Sequence, residues 1–156
     1  MESNIQFIHL NKGVHLIMNK QIILEELESL KTQASQWTDA DDLKDDAYSQ
    51  QKAFGATILA CKAIDDIAKN LQDSLTVEER LLLSEYKGCF LDINEDILAI
   101  MSQNNPKQHM NRIQYKIDIY FGNDECFTSG DSSNLMLRVQ NAIYCLCNRL
   151  INLVEQ

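Results

Sequence analysis

Residues 76–106, TVEERLLLSEYKGCFLDINEDILAIMSQNNP, carry the signals for both ends of one long helix. Thr76 precedes Glu79 by three residues, which is the spacing of a capping box, where each side chain accepts a hydrogen bond from the other residue's backbone N–H. At the far end Pro106 stops the helix, because the residue before a proline resists helical backbone angles. The stripe that this helix is expected to bury consists of Leu82, Tyr86, Cys89, Ile93, Ile97 and Ile100.

Apolar residues recur at spacings of three and four on both sides of this segment, which is typical of amphipathic helices. The first such stripe contains Ile23, Leu27, Leu30, Ala34 and Trp37. The second contains Leu43, Ala47, Phe54, Ile58, Cys61, Ile64, Ala68 and Leu71. Within the second helix, Gly55 indicates a closely packed neighbour, since a helical glycine is otherwise unfavourable. A last helix runs from about GDSSN to the end of the chain, and the expected core comprises Leu27, Leu30, Ile58, Ile64, Ile93, Ile97, Ile143, Leu146 and Leu150.

Two segments fit either a helix or a strand. Residues 113–121 alternate apolar and polar side chains, as a strand does, but they also fit a helix through Met110, Ile113 and Ile117. Residues 4–18 fit a helix or a hairpin, and a lone strand would need them as its partner. Because four helices are already indicated, the sequence predicts a mainly α single domain over residues 1–156, a bundle of five to six helices. The alternative is an α+β fold with a small sheet from residues 4–18 and 113–121.

The negative charge of the chain is concentrated in its first two thirds. The net charge is −9, with nine acids against four bases in residues 1–50, nine against five in 51–105, and five of each in 106–156. Nucleic acid and anionic membranes would repel such a surface. The expected partners are therefore basic proteins or metal cations.

The composition also bears on where the protein works. The N-terminal residues have no basic region before an apolar core, so no signal peptide or membrane span is expected. Five cysteines, at positions 61, 89, 126, 145 and 147, are an odd number for a disulfide framework. Both features predict a cytoplasmic location.

No motif in the sequence identifies a reaction. The three histidines lack the spacing of zinc ligands, and there is no glycine-rich phosphate loop or nucleophile elbow. We therefore expect neither enzyme activity nor a cofactor.

One pair of acidic motifs supports an alternative, catalytic hypothesis. Glu25 and Glu28 lie three residues apart on the first helix, and Asp42 and Asp45 lie three apart before the second. Carboxylates at this spacing share one helix face and suit Mg²⁺. The arrangement resembles the all-α nucleotide pyrophosphohydrolases, and the resemblance implies magnesium-dependent cleavage of a nucleoside triphosphate. It covers residues 25–46 and departs from that family in having aspartate where a second-helix glutamate is usual.

The densest charge in the chain follows its only tryptophan, in WTDADDLKDD at residues 37–46. An aromatic anchor among acids is typical of electrostatically steered binding sites, whereas acids at a helix N-terminus also simply complement the helix dipole. The favoured hypothesis is a non-catalytic acidic protein that neutralises or chaperones a basic partner, of the physical type of immunity proteins that inhibit toxins. Secretion chaperones have similar bulk properties. The predicted partner-binding residues are Trp37, Asp39, Asp41, Asp42, Asp45, Asp46 and Tyr48.

Overall fold

The computed structural model describes residues 19–35, 47–124 and 135–156. These residues form five α-helices, a single 3-10 turn at Gln72–Ser74 and no strand. The mainly α prediction is therefore confirmed, and the sheet alternative is wrong because residues 113–121 are helical. The predicted helix within residues 4–18 lies outside the described residues. The helices are α1 (residues 19–35), α2 (Ala47–Asn70), α3 (Val77–Met101), α4 (Pro106–Phe121) and α5 (Leu135–Glu155).

The predicted ends of α3 are both present. The Thr76 hydroxyl accepts a hydrogen bond from the Glu79 backbone N–H at 3.1 Å, and the Glu79 carboxylate accepts one from the Thr76 N–H at 2.9 Å. This capping box satisfies two backbone donors that a helix start would otherwise leave unpaired. After Met101 the chain turns through Asn105, whose φ is 49°, and Pro106 opens α4 at its first turn. A proline is favourable there because its missing N–H would have no helical partner.

Polar contacts fix how α3 pairs with its two neighbours. The Asn94 side-chain amide donates to the Phe54 carbonyl at 3.2 Å and to the Thr57 hydroxyl at 2.7 Å. Nearer the start of α3, the Lys87 ammonium lies 2.7 Å from the Asp65 carboxylate, so α2 and α3 run antiparallel. Helix α4 packs on the other side of α3. Phe121 at its end stacks on Tyr86, with ring centroids 6.0 Å apart.

The remaining two helices complete the bundle around one hydrophobic core. Helix α5 packs against both α2 and α4. Helix α1 buries Leu27 and Leu30 in the same core. Its Lys31 ammonium lies 5.4 Å from the centroid of the Tyr144 ring on α5, and its Glu26 carboxylate lies 3.7 Å from the Lys62 ammonium on α2. Because α2 and α3 are antiparallel, α2 begins, at Ala47, at the end of the bundle where α3 finishes.

Most predicted core residues are buried, but Ile58 and Leu82 are not: they are 51% and 40% exposed. In α2 the buried side is one residue earlier than predicted and carries Ala53, Ala60 and Thr57. Small side chains allow the helices to approach closely, and the Thr57 hydroxyl is satisfied by Asn94, so this face packs better than one carrying Ile58. The confirmed core residues are Leu27, Leu30, Ile64, Ile93, Ile97, Ile143, Leu146 and Leu150.

Gly55 does not mark a close helix contact, contrary to the prediction from sequence. A Cβ atom added at Gly55 would meet no other atom within 4 Å. We therefore expect Gly55→Ala to raise the free energy of unfolding by about 0.5–1 kcal/mol, because alanine restricts the unfolded chain and favours the helix. Urea unfolding followed by circular dichroism checks this. A lower midpoint for the variant would show that the position is more crowded than the structure indicates.

Candidate functional site

Most of the residues predicted to bind a partner lie outside the part of the chain that the structure describes. Trp37, Asp39, Asp41, Asp42, Asp45 and Asp46 lie outside the described residues. Tyr48 lies in the first described turn of α2 and is exposed. The Lys52 ammonium sits 4.5 Å from the centroid of its ring, an exposed cation–π contact that stabilises the pair only slightly. The role of Tyr48 in partner binding stays a prediction.

The proposed magnesium ligands are described only in part. Glu25 and Glu28 are exposed on α1 and line a shallow surface depression together with Gln21 and Thr32. Asp42 and Asp45 lie outside the described residues. Within the described ranges no group of three or more His, Cys, Asp or Glu side chains is placed to hold a metal ion. The four-carboxylate site stays a prediction.

Asp96 is the only buried acid among the described residues, and no pattern in the sequence predicts its burial. Its Oδ1 lies 2.6 Å from His109 Nδ1 on α4 and 3.8 Å from the Arg112 Nε, while its buried Oδ2 has no hydrogen-bond partner in the described structure. A carboxylate that orients an imidazole is also found in general-base sites. No described side chain other than Asp96 bonds to the His109 ring, so among the described residues the pair serves to join α3 to α4.

Three of the described cysteines are poor nucleophiles. Cys61, Cys89 and Cys147 are buried free thiols, and Cys145 is buried as well. Burial raises the pKa of Cys61 to about 11 and the pKa of Cys89 and Cys147 to about 12. Because the thiolate is the reactive form, these groups are unreactive at neutral pH. They serve as small apolar side chains in the core.

The outward side of α3 exposes large apolar side chains along the length of the helix. Val77, Leu81, Leu91 and Leu98 are between 47% and 61% exposed. Single exposed apolar residues are ordinary, whereas a row of them on one helix marks an interaction surface. Together with Ser84, Gly88 and Glu95, these four residues recur at alternating spacings of four and three, so all seven lie on one face of the helix. We name this face the α3 outer face: Val77, Leu81, Ser84, Gly88, Leu91, Glu95 and Leu98.

The same helix carries the largest negative charge of any described helix. Val77–Met101 contains six acids and two bases, a net charge of −4. Glu78, Glu85 and Glu95 are exposed and form no salt bridge with a described residue. Two other charged residues of α3 are neutralised by neighbouring helices: Lys87 pairs with Asp65 of α2, and Asp92 pairs with Lys116 of α4. Apolar contact area and unneutralised negative charge therefore coincide on one accessible surface.

Sequence reasoning missed this surface because α3 is apolar on most of its circumference. Three consecutive leucines, Leu81 to Leu83, point in three directions about 100° apart, and of these only Leu83 is buried. The outer face could have been recognised from the second row of apolar residues, which lies roughly half a turn around the helix from the core row.

None of the described helices combines the length and the apolar composition needed to cross a lipid bilayer. No family model matches this chain, and neither a curated protein nor a solved structure matches it.

Proposed function

We propose that this protein is a non-catalytic acidic binding protein that neutralises or chaperones a basic protein partner, of the kind that immunity proteins and antitoxins represent. The observation that carries the proposal is the coincidence of exposed leucines and unneutralised glutamates on α3. Acids attract and orient a basic partner, and apolar contacts then hold it. A protein that occupies a basic substrate groove in this way inhibits a nuclease-type toxin, because its carboxylates occupy the positions of phosphates.

The aspartates of residues 37–46 add to the negative charge that a basic partner would meet. This stretch carries five aspartates against one lysine and directly precedes α2 in the sequence. Charges of this density raise the association rate with a basic protein towards roughly 10⁸ M⁻¹s⁻¹ at low salt, and added salt screens the effect. Trp37 and Tyr48 are the proposed aromatic anchors beside this charge.

Replacing Asp41, Asp42, Asp45 and Asp46 together by asparagine should slow association with the partner at least about tenfold at low salt, because electrostatic steering mainly determines the association rate. The partner is obtained by co-purification with the tagged wild-type chain from its own host and then used in pure form. Stopped-flow association rates are measured from low to physiological ionic strength. The control is Asp73→Asn with Glu155→Gln, which removes two exposed acids at the end of the bundle opposite to Ala47, where α2 begins.

Equal association rates for the quadruple variant and the wild type at every salt concentration would contradict the proposal. Inhibition of the partner's activity by the purified chain separates an immunity-type inhibitor from a secretion chaperone, which would keep its client soluble without blocking a reaction. Magnesium-dependent release of pyrophosphate from nucleoside triphosphates, lost in Glu28→Gln and Asp45→Asn, would replace the binding function with an enzymatic one.

A further inference from the structure

We infer that the α3 outer face is the docking site for a cationic amphipathic helix of the partner protein. The inference rests on the proposed function and adds the element that binds, the structure it recognises and the point of closest approach. A partner helix with apolar residues at the same alternating spacing would lie along α3, as amphipathic helices do in apolar grooves. Its lysines or arginines would lie on the side of that row bordered by Glu78 and Glu85, since Arg80 and Lys87 border the other side.

The face has the length and shape that such a helix needs. Helix α3 has 25 residues, which corresponds to a length of about 37 Å. Leucines lie towards both ends of the face, and the small residues Ser84 and Gly88 lie between Leu81 and Leu91. Two helices approach closely where small residues meet, and leucines on either side then contact the partner. The face is therefore low at its centre and apolar on both sides of it.

Gly88 has no role in the packing of the chain itself. It is exposed in the middle of α3, and a Cβ atom added there would meet nothing within 4 Å. Glycine weakens a helix interior, so alanine would serve the isolated protein better. The proposed crossing point accounts for this glycine, because a partner helix would use the space that a Cβ atom fills.

The contacts between α2 and α3 broaden the face on one side. The antiparallel register set by Asn94 with Phe54 and by Lys87 with Asp65 places Ile58 level with Leu91. Ile58 is among the exposed large apolar residues. Its failure to enter the core thus adds apolar surface next to the middle of the outer face.

Charge selects a cationic helix rather than a second copy of this chain. Glu95 lies within the row itself, and Glu78 and Glu85 border it without a partner among the described residues. Two copies paired in parallel would bring Glu95 against Glu95, and each chain carries a net charge of −9. A helix with lysine or arginine beside its apolar row neutralises all three glutamates.

The test uses two synthetic amphipathic helical peptides of about 20 residues. Both carry leucine at alternating spacings of three and four. One has lysine and the other has glutamate at the flanking positions. Affinity for the full-length protein is measured by fluorescence anisotropy. The lysine peptide should bind at least tenfold more tightly than the glutamate peptide, and Leu81→Gln with Leu91→Gln should weaken its binding about tenfold. The matched control, Leu59→Gln, changes an exposed leucine of α2 that lies on the α1 side of that helix.

Gly88→Ala provides a second test, because the expected changes in stability and in peptide affinity have opposite directions. A glycine needed only for the fold would not give that combination. The variant should be more stable to heat than the wild type and yet bind the lysine peptide several-fold more weakly. Gly55→Ala should gain stability and keep wild-type binding.

Unchanged binding in Gly88→Ala, equal affinity for the two peptides, or dimerisation through this face in sedimentation experiments would each overturn the inference. If the natural partner associates normally with the Leu81/Leu91 variant but slowly with the four-aspartate variant, the docking site is wrong and the proposed function stands.

Discussion

Replacing Arg149 by alanine is expected to lower the free energy of unfolding by about 2 kcal/mol, since it removes the common partner of several partly buried groups. The guanidinium donates to both carboxylate oxygens of Asp124, to the Tyr86 hydroxyl at 2.9 Å and to the Tyr120 carbonyl at 2.7 Å. Its carbon also lies 4.7 Å from the centroid of the Phe121 ring. Burial opposes the charge, yet the hydrogen bonds with Asp124 and Tyr86 hold the pKa of Arg149 above its ordinary value.

Arg149→Lys is the matched control, because lysine keeps the positive charge but cannot donate to all of these acceptors at the same time. This variant should regain less than half of the free energy of unfolding that Arg149→Ala loses. Both variants are measured by urea unfolding at pH 7, with the slope of the free energy against urea checked for constancy. A loss below about 1 kcal/mol in Arg149→Ala would mean that solvent replaces these bonds and that the end of α4 is not held by α5.

The second large effect is a loss of stability at alkaline pH. Cys61, Cys89 and Cys147 have folded-state pKa values of about 11, 12 and 12, against an ordinary value of 9.0. Above pH 9 the unfolded chain releases these three protons while the folded chain retains them. Their contribution is therefore fully present below about pH 9 and is lost as the pH rises towards the folded-state values. Three thiols together give a slope on the order of 4 kcal/mol per pH unit between about pH 10 and 11.

The control for this effect is the chain with all three cysteines replaced by alanine. Its stability at pH 8 should be lower, but its slope between pH 9 and 11 should be much smaller. Lys87 remains in that variant, and its own pKa is raised by the hydrogen bond with Asp65, so a small alkaline loss persists. Equal slopes for the two proteins in urea titrations would show that the thiols are not the groups responsible.

The helical architecture was predictable because its signals are local. The capping box at Thr76 and the proline at position 106 mark helix ends through backbone hydrogen bonding that requires no tertiary information. Residues 113–121 were ambiguous in sequence, since the same apolar residues suit two periodicities. The described structure resolves the ambiguity through long-range contacts, with Ile113, Ile117 and Phe121 all buried against the other helices.

Which apolar side of a helix faces inward was less predictable. Ile58 is more hydrophobic than Thr57, yet Thr57 is buried, with its hydroxyl donating to the Phe54 carbonyl and accepting from the Asn94 amide on α3. No local pattern reveals a hydrogen bond between residues 37 positions apart. The α3 outer face was hidden for the same reason, as α3 has two apolar rows and only the packing of α2 and α4 decides between them.

The measurement that tests the docking site most directly is methyl NMR of leucine-labelled protein titrated with the lysine peptide. We expect the resonances of Leu81, Leu91 and Leu98 to shift together with one affinity, which falls as salt is added. Leu59, exposed on the α1 side of α2, and the buried Leu27 should stay unchanged. Shifts that centre on Leu59, or shifts of the α3 leucines that are equally large with the glutamate peptide, would show that the α3 outer face is not the docking site.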